Sequence, residues 1–151
     1  MEGLDGIVLA AAGVIRSGYV GLIDCYLPVD VMVPAPAQGA LAIEVREGSK
    51  ELEVMLASIR DDQASLQVAA ERGFLEGIGG SCHVPMGAYC NLEGDRMDLV
   101  GVYGDGASQK VIRRSVKETL DHKNLFSQLE QARAFGLSLA QDMKREYHNE
   151  C

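Results

Sequence analysis

The 151-residue chain contains no tryptophan and only 5% aromatic residues against 17 glycines, which argues for several turns and close backbone approaches rather than one long helical bundle. An α/β or α+β fold follows. Positive charge is also scarce: 14 Lys and Arg face 22 Asp and Glu, giving a formal charge of −8 that repels nucleic acid and anionic lipid at long range. Any anion bound here must rely on a few placed arginines. The longest apolar stretch, residues 7–15, is broken by Gly13 and preceded by no basic segment, so neither a bilayer span nor a secretion signal is expected. The chain reads as soluble and cytoplasmic. Cys25, Cys82, Cys90 and Cys151 show no Cys-x-x-Cys spacing, which argues against a secreted disulfide scaffold and for reduced thiols. A zinc site from Cys82, His83 and Cys90 has no recognisable ligand spacing, and no metal is expected.

An apolar share of 47% is ample for a core at this length, enough for one domain or for one domain with pieces of others. Leu4-Asp5-Gly6-Ile7-Val8-Leu9-Ala10 reads as a buried strand, and Ala11-Ala12-Gly13-Val14-Ile15-Arg16 as the helix after it. Nothing ahead of that strand supplies a neighbour, so either it belongs to a larger sheet or it pairs with a second copy. Residues 29–33 and 40–45 read as two more strands, joined by Pro34-Ala35-Pro36-Ala37-Gln38-Gly39. Two prolines in three residues make that link stiff, as suits a crossing between domains.

Ser49 is placed to cap a helix running to Ile59, with Leu52, Met55, Leu56 and Ile59 on one side. Asp61 or Asp62 is placed to cap the next, with Leu66, Ala70, Phe74 and Ile78 on one face. Both helices then have an apolar side to bury. From Val84 the period changes to two, and strands over 84–90, 97–103 and 110–116, turned at Glu93-Gly94-Asp95 and Gly104-Asp105-Gly106, form an expected antiparallel meander. Leu125, Leu129, Ala132, Gly136, Leu139 and Met143 mark a long amphipathic helix to about Tyr147 that covers the meander.

Between the second capped helix and the first meander strand lies Gly79-Gly80-Ser81-Cys82-His83-Val84-Pro85-Met86-Gly87. Glycines allow close approach of a bulky group, and a helix end with a neighbouring histidine favours the thiolate. Taken alone, a single cysteine in such a chain is more often an inert buried thiol. With Glu71-Arg72-Gly73-Phe74-Leu75 ahead of it, however, the segment resembles the cofactor-attachment loop of the porphobilinogen deaminase (hydroxymethylbilane synthase) family. The Pro34-Ala35…Gln38-Gly39-Ala40 block is the second strong match, and residues 5–16 and the final meander and helix match more loosely.

The resemblance implies the C-terminal portion of a three-domain transferase of tetrapyrrole (porphyrin and heme) biosynthesis, which joins four porphobilinogen units into hydroxymethylbilane with release of ammonia. It implies a covalent dipyrromethane cofactor, bound as a thioether to Cys82, and a carboxylate contact from Arg16; read alone, Arg16 is a solvated charge at a helix end. Arg46 and Arg72 match as well, with an internal ion pair to Glu44 or Glu71 as the alternative. Ala37 and Ser81 stand where the family usually has glycine, which stiffens the crossing and narrows the loop's φ range. The family's catalytic aspartate and most anion-binding arginines fall in the missing N-terminal half, so this chain holds no catalytic residue and is expected to be inactive alone.

The domain plan so implied is 1–28 as the end of the second α/β domain, 29–48 as crossing strands returning to the first, and 49–151 as an α+β cofactor-anchoring domain. That last domain is a three-stranded antiparallel sheet covered by helices, preceded by α/β fragments. Its partners are porphobilinogen and the N-terminal half in the complete enzyme, and a second copy paired through residues 1–45 in the isolated chain. A non-catalytic binding module that keeps the anchoring fold is the alternative.

Overall fold

From Met86 onward the two-residue alternation becomes a sheet, because every second side chain points to the face that two helices cover. The computed structural model describes residues 3–79, 84–104 and 110–149. In chain order these form helix α1 (Ala11–Arg16), a 3₁₀ turn (Val20–Leu22), helices α2 (Lys50–Ala57) and α3 (Asp62–Ile78), strands β1 (Met86–Glu93), β2 (Arg96–Gly104) and β3 (Val111–Thr119), and helix α4 (Leu125–Asn149). The fold is α+β: an antiparallel sheet in the order β1-β2-β3, covered by helices and preceded by α/β fragments. Two compact units are present, Met1–Met32 and Val33–Cys151.

In the second unit the register sets Cys90 opposite Leu99 and Leu99 opposite Val116, so the inward row of each strand meets the next. That row, with Ala88, Leu92, Met97, Tyr103 and Ile112, is closed by Leu66, Ala70, Phe74 and Ile78 of α3 and by Ala132, Leu139, Met143 and Tyr147 of α4. Tyr147 meets the Tyr103 ring edge to face, 5.1 Å between centroids. At the sheet's far edge Arg114 pairs with Glu146 of α4, and Gln131 of α4 donates to Glu118 at 2.8 Å.

Helices α3 and α4 cross so closely that a methyl group at Gly136 would fall on the Ala70 carbonyl, and one at Gly73 on that of Arg133. Small residues on both facing stripes are what permit this approach. The Asp61 carboxylate caps α3 by accepting from the Ala64 amide at 2.9 Å, and the Asn124 side chain caps α4 by accepting from Ser127 at 3.0 Å. Ser49, by contrast, makes no side-chain cap at α2, and the apolar side of α2 is exposed, with Met55 66% and Ile59 68% accessible. The expected burial of that stripe does not occur: among the described residues neither the sheet nor another helix packs extensively against α2, and only Leu56 of the stripe is half-buried.

The apolar runs 4–10, 29–33 and 40–45 take no part in the described sheet, which holds β1, β2 and β3 alone. A strand needs a neighbouring strand, and the described sheet does not extend to these runs; Val31 and Met32, for example, close a local turn on the Pro28 carbonyl. Their side chains stay in water: Ile7, Val8, Leu9, Leu41 and Ile43 are each at least 60% exposed. Among the described residues, no helix is long and apolar enough to cross a membrane.

Candidate functional site

Helix α3 ends where the glycine-rich loop begins, and it ends for a local reason. Gly79 takes the left-handed conformation, φ 73°, and its amide closes the last turn onto the Glu76 and Leu75 carbonyls. The orphan carbonyl of Ile78 is satisfied by the Lys144 ammonium of α4 at 3.2 Å. Cys82 and His83 lie between this cap and the start of β1 at Met86, outside the described residues, as does the substituted Ser81. Beside the cap, an open hollow of about 580 Å³ is lined by Gly77, Gln141, Lys144, Arg145, His148 and Asn149. It is a basic surface on an acidic protein, although Arg145 is already paired with Asp142.

The other cysteines are sorted by their surroundings. Cys90 is buried on the inner row of β1, and burial, followed by the charges of Glu71 and Asp98, pushes its thiol up to about 12. A thiol so opposed to ionisation is unsuited to forming a thioether or binding a metal. Cys25 is exposed in the first unit, and Cys151 lies outside the described residues. Among the described residues no three His, Cys, Asp or Glu side chains are grouped so as to hold a metal ion.

Arg16 is the last residue of α1, exposed to solvent in the first unit. Arg46 and Arg72 are also exposed. Neither is the partner of Glu71, whose two oxygens are taken by backbone: Oε1 accepts from the Cys90 amide at 2.9 Å and Oε2 from the Ala37 amide at 2.6 Å.

Glu71 belongs to a row that sequence reasoning missed. Strand β1 has β2 on one side only, leaving the backbone of its other edge to be satisfied. Gln63 and Gln67 of α3 donate to the Leu92 and Cys90 carbonyls at 3.0 and 2.9 Å, Glu71 accepts from Cys90, and the Pro34 carbonyl accepts from Ala88 at 3.0 Å. Residues 63, 67 and 71 recur at helical spacing beside the apolar stripe, each with a carbonyl or carboxylate oxygen or amide group long enough to reach the strand. That polar row flanking Leu66 and Ala70 was the available signal.

Two family models match the chain in succession. One, described as "Porphobilinogen deaminase, dipyromethane cofactor binding domain", matches residues 1–54, and one described as "Porphobilinogen deaminase, C-terminal domain" matches residues 65–145. Among curated relatives, the porphobilinogen deaminase of Clostridioides difficile (strain 630) is 45% identical over 148 residues, covering 98% of this chain and 46% of the relative. That of Clostridium novyi (strain NT) is 42% identical over 149 residues, 97% and 47% of the two chains. That of Paenibacillus macerans is 50% identical over 92 residues, 61% and 28%. The chain thus spans about half the length of the first two relatives.

Proposed function

The chain belongs to the porphobilinogen deaminase family, and from that premise we propose that it supplies the C-terminal, cofactor-anchoring portion of a hydroxymethylbilane synthase. The observation that carries this reading is the sequential match of two family models, over residues 1–54 and 65–145, with Cys82 falling inside the second. In this reading Cys82 holds dipyrromethane as a thioether. The cofactor, when bound, supplies the primer on which four porphobilinogen units are joined. The tether keeps the primer at high local concentration through successive additions.

What the described residues contribute is a rigid mount. The Gly79 cap and Lys144 fix the end of α3, and β1 is fixed on one side by β2 and on the other by the Gln63, Gln67 and Glu71 row. Cys90, whose sulfur is packed in the core, does not compete for the cofactor. Arg16 contributes a guanidinium for a pyrrole carboxylate, and proton transfer falls to residues outside this chain, so the isolated chain does not turn over porphobilinogen.

Co-expression with the portion of the Clostridioides difficile relative outside the alignment, followed by intact and peptide mass measurement, tests the reading. A pyrrole adduct on the Cys82 peptide, lost in Cys82→Ser, is expected. Cys90 should also resist a thiol reagent at pH 8 until the protein is unfolded. An adduct on Cys25, Cys90 or Cys151, or one that survives Cys82→Ser, overturns the assignment, and turnover by the isolated chain above a Cys82→Ser control overturns its incompleteness.

A further inference from the structure

Ala37 is, among the described residues, the one non-glycine position with positive φ, 62°. An alanine there crowds its Cβ against the following carbonyl, so something must hold the turn in place. Its amide points at Glu71, at 2.6 Å, and Glu71 is the one buried charged residue among the described residues. The same carboxylate holds the Cys90 amide with its other oxygen. Three residues before the turn, the Pro34 carbonyl takes the Ala88 amide, and a methyl group on Gly87 would come within 2.8 Å of the Val33 carbonyl. The crossing segment is therefore laid along the free edge of β1, fastened at Ala88 by backbone and at Cys90 through Glu71.

We propose that Glu71 is a positioning residue, a latch that binds the left-handed turn at Ala37 to the edge of β1, so that the crossing at residues 34–37 moves as one body with the strand leading out of the Cys82 loop. Flexing of the crossing relative to the sheet is then excluded within residues 34–37. It is displaced to the chain on either side of the latched turn, before Val33 and after Gly39. The latch joins three stretches far apart in sequence through one side chain: the crossing, α3 and β1.

The two oxygens impose a chemical requirement that only a carboxylate meets. Both groups that face them are donors, so a carboxamide of the same shape accepts one amide and turns its own NH₂ toward the other. Hydrogen exchange on the whole chain, resolved at single amides, reads this directly. The Ala37, Ala88 and Cys90 amides are expected to be protected and to open together, with one denaturant dependence. In Glu71→Gln, exchange at Ala37 should rise by about ten- to a hundredfold, the worth of a hydrogen bond to a charged group. The Leu139 amide, in the centre of α4, should be unmoved.

A variant Ala37→Gly removes the crowding and keeps the carboxylate, so position 37 should stay protected. If Glu71→Gln also releases Leu139, the fold has opened as a whole and the Ala37→Gly arm decides: protection kept at position 37 supports the latch, and protection lost assigns the turn to the alanine side chain. Free-peptide exchange at Ala37 in the parent chain, or exchange unchanged in a folded Glu71→Gln, overturns the proposal.

Discussion

Glu71 sits 8% exposed between a helix and a strand edge, and burial pushes its carboxyl above the ordinary 4.5, while the amides of Cys90 and Ala37 pull it partly back. Cys90 stays a neutral thiol beside it, and the nearby Asp98 is paired with Arg96 and Lys117 at 3.5 and 3.6 Å. The sign of the pH dependence follows. With its folded value raised, Glu71 binds more proton in the folded chain than in the unfolded one over the window above 4.5, so it makes stability fall as pH rises through that window. The quantity to measure is the parent's stability minus that of Glu71→Gln, by thermal melting at a series of pH values, since the subtraction isolates this one carboxyl. That difference should shrink from pH 4.5 upward; a difference that is flat or grows would show that burial is not the dominant influence on this carboxyl. The glycine-rich segment around Cys82 stands out in the sequence because it lies between two periodic segments, while the role of Cys82, outside the described residues, comes from the family resemblance and stays a proposal. For Glu71 the sequence offered only the polar row it shares with Gln63 and Gln67; the partners themselves, backbone amides 34 and 19 residues away, leave no mark of their own in the side chains. Ala37 left a trace: glycine is usual at that place in the family, and φ 62° is the conformation that glycine adopts without crowding.

At the scale of elements, α3, β1, β2, β3 and α4 were readable because each buries its apolar row against another of the five, so the period of burial is written into the same stretch of chain. The stripe of Leu52, Met55, Leu56 and Ile59 at and just after α2 is as regular, yet of the four only Leu56 is half-buried and the rest are exposed, and the expected Ser49 cap does not form where Asp61 does cap α3. Periodicity reports what a segment is suited to bury and says nothing of where the partner is. The closeness of α3 and α4 was likewise unreadable, since Gly73 and Gly136 look in sequence like helix-weakening residues and in the structure are the reason the helices touch. A testable consequence is that Gly136→Ala, although alanine is the better helix former, destabilises the domain. Its methyl group meets the Ala70 backbone, which cannot rotate away, so the helices must separate at a cost of about 1–3 kcal/mol. Urea unfolding should show a lower midpoint with an unchanged slope. Gly13→Ala, whose methyl enters open space on α1, should leave the midpoint where it is. A Gly136→Ala midpoint equal to the parent's would mean that the crossing is looser than described.

Across the whole molecule, burial is distributed very unevenly. Among the described residues every buried apolar side chain lies between Leu66 and Tyr147, while α1 and the 3₁₀ turn bury none, and Leu4, Ile7, Val8, Leu9, Leu22 and Leu41 stand exposed. Leaving such surface in water forfeits about 25 cal/mol for each Å² that a partner would cover, and extended segments outside the sheet offer backbone groups as well. The isolated chain is therefore expected to associate through residues 1–45, in the simplest case as a two-fold pair. Two truncations separate this from the stability of the core. A chain of residues 33–151 retains Pro34 and Ala37, hence both fastenings of the β1 edge, and should melt within a few degrees of the parent at matched concentration. A chain of residues 47–151 loses both, leaving Glu71 with one donor and the Ala88 amide with none from the crossing, and should melt lower by the equivalent of about 1.5–3 kcal/mol. Light scattering should find the parent associated and residues 47–151 monomeric. A monomeric parent, or association that survives in residues 47–151, would remove the N-terminal runs as the cause. Equal melting of the two truncations would show that the domain does not depend on the crossing, even if the association itself is confirmed.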